Sequence, residues 1–117
     1  MIYLWIALGG AFGAMARFGV GQIVAFPFGT LSVNVVGSFL MGVAYVYFAT
    51  RLGDRLPVMM MAGFLGAFTT FSAFSLDVLK LIEADRLTFA ASYVAASIIL
   101  SLAAVFAGVT LAKETLV

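Results

Sequence analysis

The chain contains no cysteine and no histidine. The first absence excludes disulfides, thiolate nucleophiles and thiolate metal sites. The second removes the commonest general base and metal ligand. Charge is also scarce, at 9% of 117 residues, against about 25% in an ordinary soluble domain. No basic residue precedes Arg17. A secretory signal peptide needs a basic n-region and a small-residue cleavage site, so the N-terminus reads as a retained helix. No nucleophile–base pair is visible, and an enzyme is not expected.

What fills the space is apolar. Hydrophobic residues make up 65% of the chain, and a soluble fold of this length could not bury them. Residues 1–16, 18–50, 56–76 and 87–112 contain no Asp, Glu, Lys or Arg. About 20 apolar residues cross a bilayer core of about 30 Å as a helix. The run 18–50 is too long for one span and carries Phe26-Pro27-Phe28-Gly29, a turn signal. The expected spans are therefore 2–25, 30–50, 57–81 and 88–112. They form a single four-helix transmembrane domain over 1–117, with no soluble domain beside it.

Orientation follows the Lys and Arg count on each side. Arg51, Arg55 and Lys113 fall on one side, and Arg17, Lys80 and Arg86 on the other, three against three. Either other signals decide the orientation, or copies insert both ways and pair antiparallel. Four helices enclose little space for a path, which favours pairing. Gly9 and Gly13 form GxxxG, with Gly10 and Ala14 one residue later. Such pairs let helix backbones approach closely, within one subunit or between two.

Polar side chains in lipid need a reason. Thr30, Asn34 and Ser38 recur every four residues in the second span, and Tyr93, Ser97 and Ser101 in the fourth. Each set lies on one helical face. These stripes can line a path or bond helices together. Asn34 is the hardest to explain as packing, because its amide donors and acceptor are costly to leave unpaired in hydrocarbon.

The third span reads Gly63-Phe-Leu-Gly66-Ala-Phe-Thr69-Thr70-Phe71-Ser72-Ala73-Phe74-Ser75. Two Gly, two adjacent Thr and two Ser weaken a continuous helix. A break at membrane depth is tolerated only inside protein or beside a cavity. In transporters such breaks hold ions, carbonyls meeting cations and half-helix N-termini meeting anions. The other reading is a continuous helix whose small residues permit close packing. Phe71 and Phe74 lie three apart on one face, and an aromatic edge is positive enough to meet an anion.

Three stretches together resemble the small bacterial fluoride channels, the Fluc or CrcB family. They are Gly9-Gly-Ala-Phe-Gly13-Ala-Met-Ala-Arg17-Phe18, Gly29-Thr30-Leu-Ser-Val-Asn34-Val-Val-Gly37-Ser38-Phe39, and the third-span segment above. The fourth span matches by its Tyr-x3-Ser-x3-Ser stripe. The resemblance implies an all-α integral membrane protein of four helices, the third broken near its middle, in an antiparallel dual-topology homodimer. It implies passive fluoride export across a bacterial inner membrane, and hence fluoride resistance.

The resemblance also implies roles. Phe71 and Phe74 would turn ring edges to fluoride, with Asn34 reaching in beside them and Thr30 one turn earlier. Tyr93, Ser97 and Ser101 would form a hydroxyl track, and Ser72 would stand beside the rings. The carbonyls of Gly66 and Thr69 would hold a structural sodium ion at the centre of the dimer. Arg17 would concentrate anions. Three positions depart from the family pattern. Ala73 replaces a common Thr, Val105 ends the hydroxyl spacing, and Asp77 stands where Glu is common. A small drug-efflux transporter would need a buried carboxylate, and only Asp77 falls within a span. A structural or assembly subunit is the remaining rival.

Overall fold

The computed structural model describes residues 1–49 and 55–116. Among them every regular element is helical. Helix α1 covers Ile2–Ile23 and α2 covers Phe28–Tyr47. The third span begins with α3, Arg55–Pro57, and continues as a π-helix, Val58–Leu65, and α4, Gly66–Phe68. After an interruption it resumes as α5, Ser72–Glu83, and α6 closes the chain over Leu87–Leu116. Four stretches are long and apolar enough to cross a membrane, 2–23, 28–47, 58–83 and 87–115. They match the expected spans to within a few residues. Thr50, Arg51 and Asp54 and the Arg55 side chain lie outside the described residues, so most of the charge tally on one side does too.

Two helix pairs build the bundle: α1 lies along the first half of the third span, and α2 along α6. Both contacts depend on missing side chains. A Cβ on Gly9 would strike the carbonyl oxygen of Met59, and one on Gly13 that of Phe64. Gly9 and Gly13 are one α-helical turn apart; Met59 and Phe64 are about one turn apart in the wider π-helix. The glycines of α1 and the oxygens of the third span therefore meet in register. This decides the open question about GxxxG: Gly9 and Gly13 pack within one protomer. The α2–α6 pair works the same way, with Gly42 against the carbonyl of Val105 and Gly108 against that of Phe39.

The buried side chains form two clusters. One joins α5 and α6 through Phe74, Leu81, Ala90 and Tyr93. The other joins α2 to the π-helix through Ala44, Phe48 and Leu65. Between them lies the interruption of the third span, and this placement fixes where the candidate site can be.

Overpacking a close helix contact costs about 1–3 kcal/mol. Gly42→Val and Gly108→Val should therefore lower the thermal denaturation midpoint of the detergent-solubilised protein. Gly19, with nothing within 4 Å of a Cβ, is the control position, and Gly19→Ala should leave the midpoint unchanged.

Candidate functional site

The third span breaks at Thr69. Its backbone is extended, with φ −85° and ψ 158°, so the helix cannot continue through it. Phe71 already has helical angles, φ −91° and ψ −34°, and begins the second half. Thr70 caps that half, its hydroxyl accepting from the Ala73 N–H at 3.0 Å. The Thr69 hydroxyl turns back to the Leu65 carbonyl at 3.0 Å. The broken-helix reading therefore holds, and the two adjacent threonines account for it, one closing each half.

Two side chains from other helices bind the break. The Asn34 amide clamps the Thr70 residue through both backbone groups. Its Nδ2 donates to the Thr70 carbonyl at 2.9 Å, and its Oδ1 accepts from the Thr70 N–H at 2.7 Å. Arg17 Nε donates to the Ala67 carbonyl at 3.1 Å, at the end of the first half. Neither bond was visible in the sequence, which marked Asn34 as polar in a span and Arg17 as a basic helix end. Only the fold brings them to residues 36 and 50 positions away.

The clamp has a consequence for the backbone. In an unbroken helix the Thr70 N–H would bond the Gly66 carbonyl, and the Ala73 N–H that of Thr69. Asn34 takes the first donor and the Thr70 hydroxyl takes the second. The carbonyls of Gly66 and Thr69 are thereby stripped of their helical donors. Gly66 lies on the exposed surface of the protomer.

Beside the break is a cavity of about 410 Å³. Asn34 and Ser38 of α2, Phe71 and Phe74 of the third span, and Ser97 and Ser101 of α6 line it. Among the described residues no charged side chain does. The Ser97 Oγ is buried beside the Tyr93 hydroxyl, without a hydrogen bond of good geometry among the described residues. The Phe71 and Phe74 rings lie 5.4 Å apart, tilted by 59°. Phe74 is buried, whereas Phe71 is 76% exposed.

A second cavity, of about 370 Å³, lies on the other side of Thr70, which lines both. Arg17, Thr30, Ala73, Asp77 and Lys80 face it. The predicted site residues thus divide between two spaces: Asn34, Thr69, Phe71, Phe74, Ser97 and Ser101 in the first, Arg17 and Thr30 in the second. Ser72 and Tyr93 line neither. Ser72 Oγ lies 3.3 Å from the Thr70 hydroxyl. The Tyr93 hydroxyl donates to Asp77 Oδ2 at 3.1 Å in a buried contact. Val105, where the hydroxyl spacing ends, supplies backbone to the contact with Gly42.

The model of the family described as CrcB-like protein, Camphor Resistance (CrcB), matches residues 4–109. The chain belongs to this family. It is 46% identical over 116 residues to a protein of Paracoccus denitrificans, covering 95% of this chain and 94% of that one. It is 53% identical over 111 residues to one of Cereibacter sphaeroides, covering 90% and 89%. A third relative, from Hahella chejuensis, is 44% identical over 118 residues, covering 94% and 93%. Each of the three is named fluoride-specific ion channel FluC. Membership of a channel family bears out the expectation that the chain is not an enzyme, and with four apolar helices it makes the chain a multi-pass membrane protein.

Removing the clamp should loosen the break. Interhelical hydrogen bonds in membranes contribute about 0.6–2 kcal/mol each. Asn34→Ala, which deletes two, should raise hydrogen exchange at the Thr70 amide by at least several-fold, while the amides of α2 stay protected. Unchanged exchange at Thr70 would show that the break holds without Asn34.

Proposed function

We propose that the chain is a fluoride-selective channel that lets the anion leave the cytoplasm passively and so confers fluoride resistance. The observation that carries this reading is the uncharged first cavity, in which an amide, serine hydroxyls and two phenylalanine rings face one space. A small anion is strongly hydrated. A pore must replace that shell with contacts strong enough to admit the ion and weak enough to release it. Hydroxyls, an amide N–H and positive ring edges meet both demands, whereas a lysine or arginine there would trap the ion. Ser97 offers a buried hydroxyl beside that of Tyr93. Asn34 spends one N–H on Thr70 and keeps the other for an ion. The second cavity, with Arg17, Lys80 and Thr30 on its wall, is the antechamber that concentrates anions, and Thr70, which lines both cavities, marks the route between. Tyr93 stands behind the Phe74 ring, and Ser72 lies beside the Thr70 hydroxyl. The name shared by the relatives points the same way.

The working unit in this reading is an antiparallel homodimer in the bacterial inner membrane. The even charge tally gives the chain no instruction against inserting both ways. Phe71 presents most of its ring outside the protomer, which suits a path closed by a second copy. Gly66 is exposed on the same broken segment. Its carbonyl and that of Thr69 have lost their helical donors, and a pair of copies would bring four such oxygens together. Oxygen donors of this kind suit a hard cation, and sodium fits them as a structural ion joining the two breaks. Among the described residues no cluster of acidic side chains offers a competing metal site.

A proton-coupled drug exporter is less well supported. The carboxylate it needs could only be Asp77, which holds the Tyr93 hydroxyl and is absent from the first cavity wall.

Reconstituted protein read with a fluoride electrode tests the proposal. Wild type should release fluoride from liposomes without a proton gradient and retain chloride. Phe71→Ile with Phe74→Ile should abolish the efflux while the protein remains dimeric. Undiminished efflux from an intact double variant would remove the two rings from the path.

A further inference from the structure

Asp77 faces the second cavity but is absent from the first, and its position is costly. It is 7% exposed and lies within a membrane span. A buried carboxylate needs compensating partners. A carboxylate beside an anion route also opposes the anion. Its contacts suggest another task.

Phe74, Asp77 and Leu81 share one buried face of α5. Asp77 accepts the Tyr93 hydroxyl at 3.1 Å, and Tyr93 is 4% exposed. The Tyr93 ring lies 5.4 Å from that of Phe74, at 39°. Phe71 lies on the other flank of Phe74, also at 5.4 Å. The torsion that turns a phenylalanine ring is soft and broad. Only neighbours on both flanks can fix which way the edge points. Phe71, 76% exposed, is a loose neighbour within the protomer. Tyr93 is the firm one, and its far end is tied to Asp77, with the Thr30 and Ser97 hydroxyls beside it.

We propose that Asp77 is a positioning residue: by holding the Tyr93 hydroxyl it fixes the Tyr93 ring, and through it the tilt at which the Phe74 edge meets the permeating anion. The inference rests on the fluoride-channel reading for its effect on selectivity, but the tether itself does not. The charge of Asp77 is turned to the second cavity and kept off the first. An oxygen acceptor is what the tether requires; a negative charge is not.

Three variants separate these roles. Asp77→Asn keeps an amide oxygen that can accept from Tyr93. Asp77→Ala removes the acceptor, and Tyr93→Phe removes the donor. In liposomes the ratio of fluoride to chloride efflux should fall by about tenfold in Asp77→Ala and Tyr93→Phe, and the double variant should be no worse than either, as expected for two residues acting as one unit. Asp77→Asn should stay within about twofold of wild type. A loss in Asp77→Asn equal to that in Asp77→Ala would overturn the tether in favour of a charge effect. Wild-type selectivity in Asp77→Ala would overturn it outright. The second readout needs no transport: fluorine NMR of the protein carrying 4-fluorophenylalanine at position 74. The resonance should shift or broaden in Asp77→Ala and Tyr93→Phe and remain near wild type in Asp77→Asn. An unmoved resonance in the first two sinks the proposal whatever the flux. Absence of fluoride efflux from wild type would instead sink the channel reading and leave the NMR to decide the tether. Should Asp77→Ala fail to fold, Tyr93→Phe carries both measurements.

Discussion

Everything about the site follows from the backbone of one residue at membrane depth. The Thr70 N–H and C=O have left the helix, and lipid offers them nothing to bond. Each such group costs several kcal/mol if unsatisfied, on the order of the whole benefit of a close helix contact. The Asn34 amide satisfies both at 2.7 and 2.9 Å. No shorter side chain carries a donor and an acceptor at the right separation, and a carboxylate would bring a charge and lose the donor. An asparagine in an apolar helix is therefore the condition for the break, and the break is the condition for the cavity beside it.

The clamp also redistributes hydrogen bonds. By drawing off the Thr70 N–H, Asn34 removes the donor that would have silenced the Gly66 carbonyl. By capping with its hydroxyl, Thr70 does the same for Thr69. Arg17 neutralises the intervening Ala67 carbonyl. One small rearrangement thus sorts the end of the half-helix into oxygens that are tied and oxygens that are not. Under the proposed function the untied ones are those that would meet the sodium ion. Arg17 then has two tasks on one side chain: Nε secures the break, while the rest of the guanidinium faces the second cavity.

Much of this was legible in the sequence, and the limits of legibility have physical causes. The four spans could be read because a helix crossing a bilayer demands about twenty residues without charge, and soluble folds rarely hold such runs. The break could be placed because Gly66, Thr69 and Thr70 are poor helix formers gathered at mid-span. The family could be read from motifs that fill three of the four spans. The π-helix over Val58–Leu65 could not, since a run of Met, Ala, Gly and Leu gives no local sign of the wider turn. It follows from tertiary contact, where Gly9 and Gly13 bring α1 against Met59 and Phe64. The partners of Asn34, Arg17 and Tyr93 were likewise invisible, because each bond spans distant helices or pairs a track residue with an acid that no spacing rule connects to it. The sequence placed Tyr93 on the path by its stripe and could not show that its hydroxyl turns to Asp77.

That turn bears on how a chain with so few charges handles an anion. Acids and bases are both present near the break, yet among the described residues the first cavity has neither on its wall. Arg17, Asp77 and Lys80 all face the second cavity, so under the proposed function attraction and repulsion act there, before the first cavity is reached. Inside the first cavity, discrimination would then fall to geometry: how close a ring edge and a hydroxyl can come to an ion of a given radius. Geometry of that kind is useful only when the rings cannot yield. Phe74 is held between Phe71 and Tyr93, buried on the α5–α6 core. Phe71 has no such support within one protomer, and 76% of it is exposed. A path with one firm ring and one loose one is half of a site. Under the antiparallel reading the second copy supplies what Phe71 lacks, so selectivity and dimer formation are two consequences of the same unfinished packing.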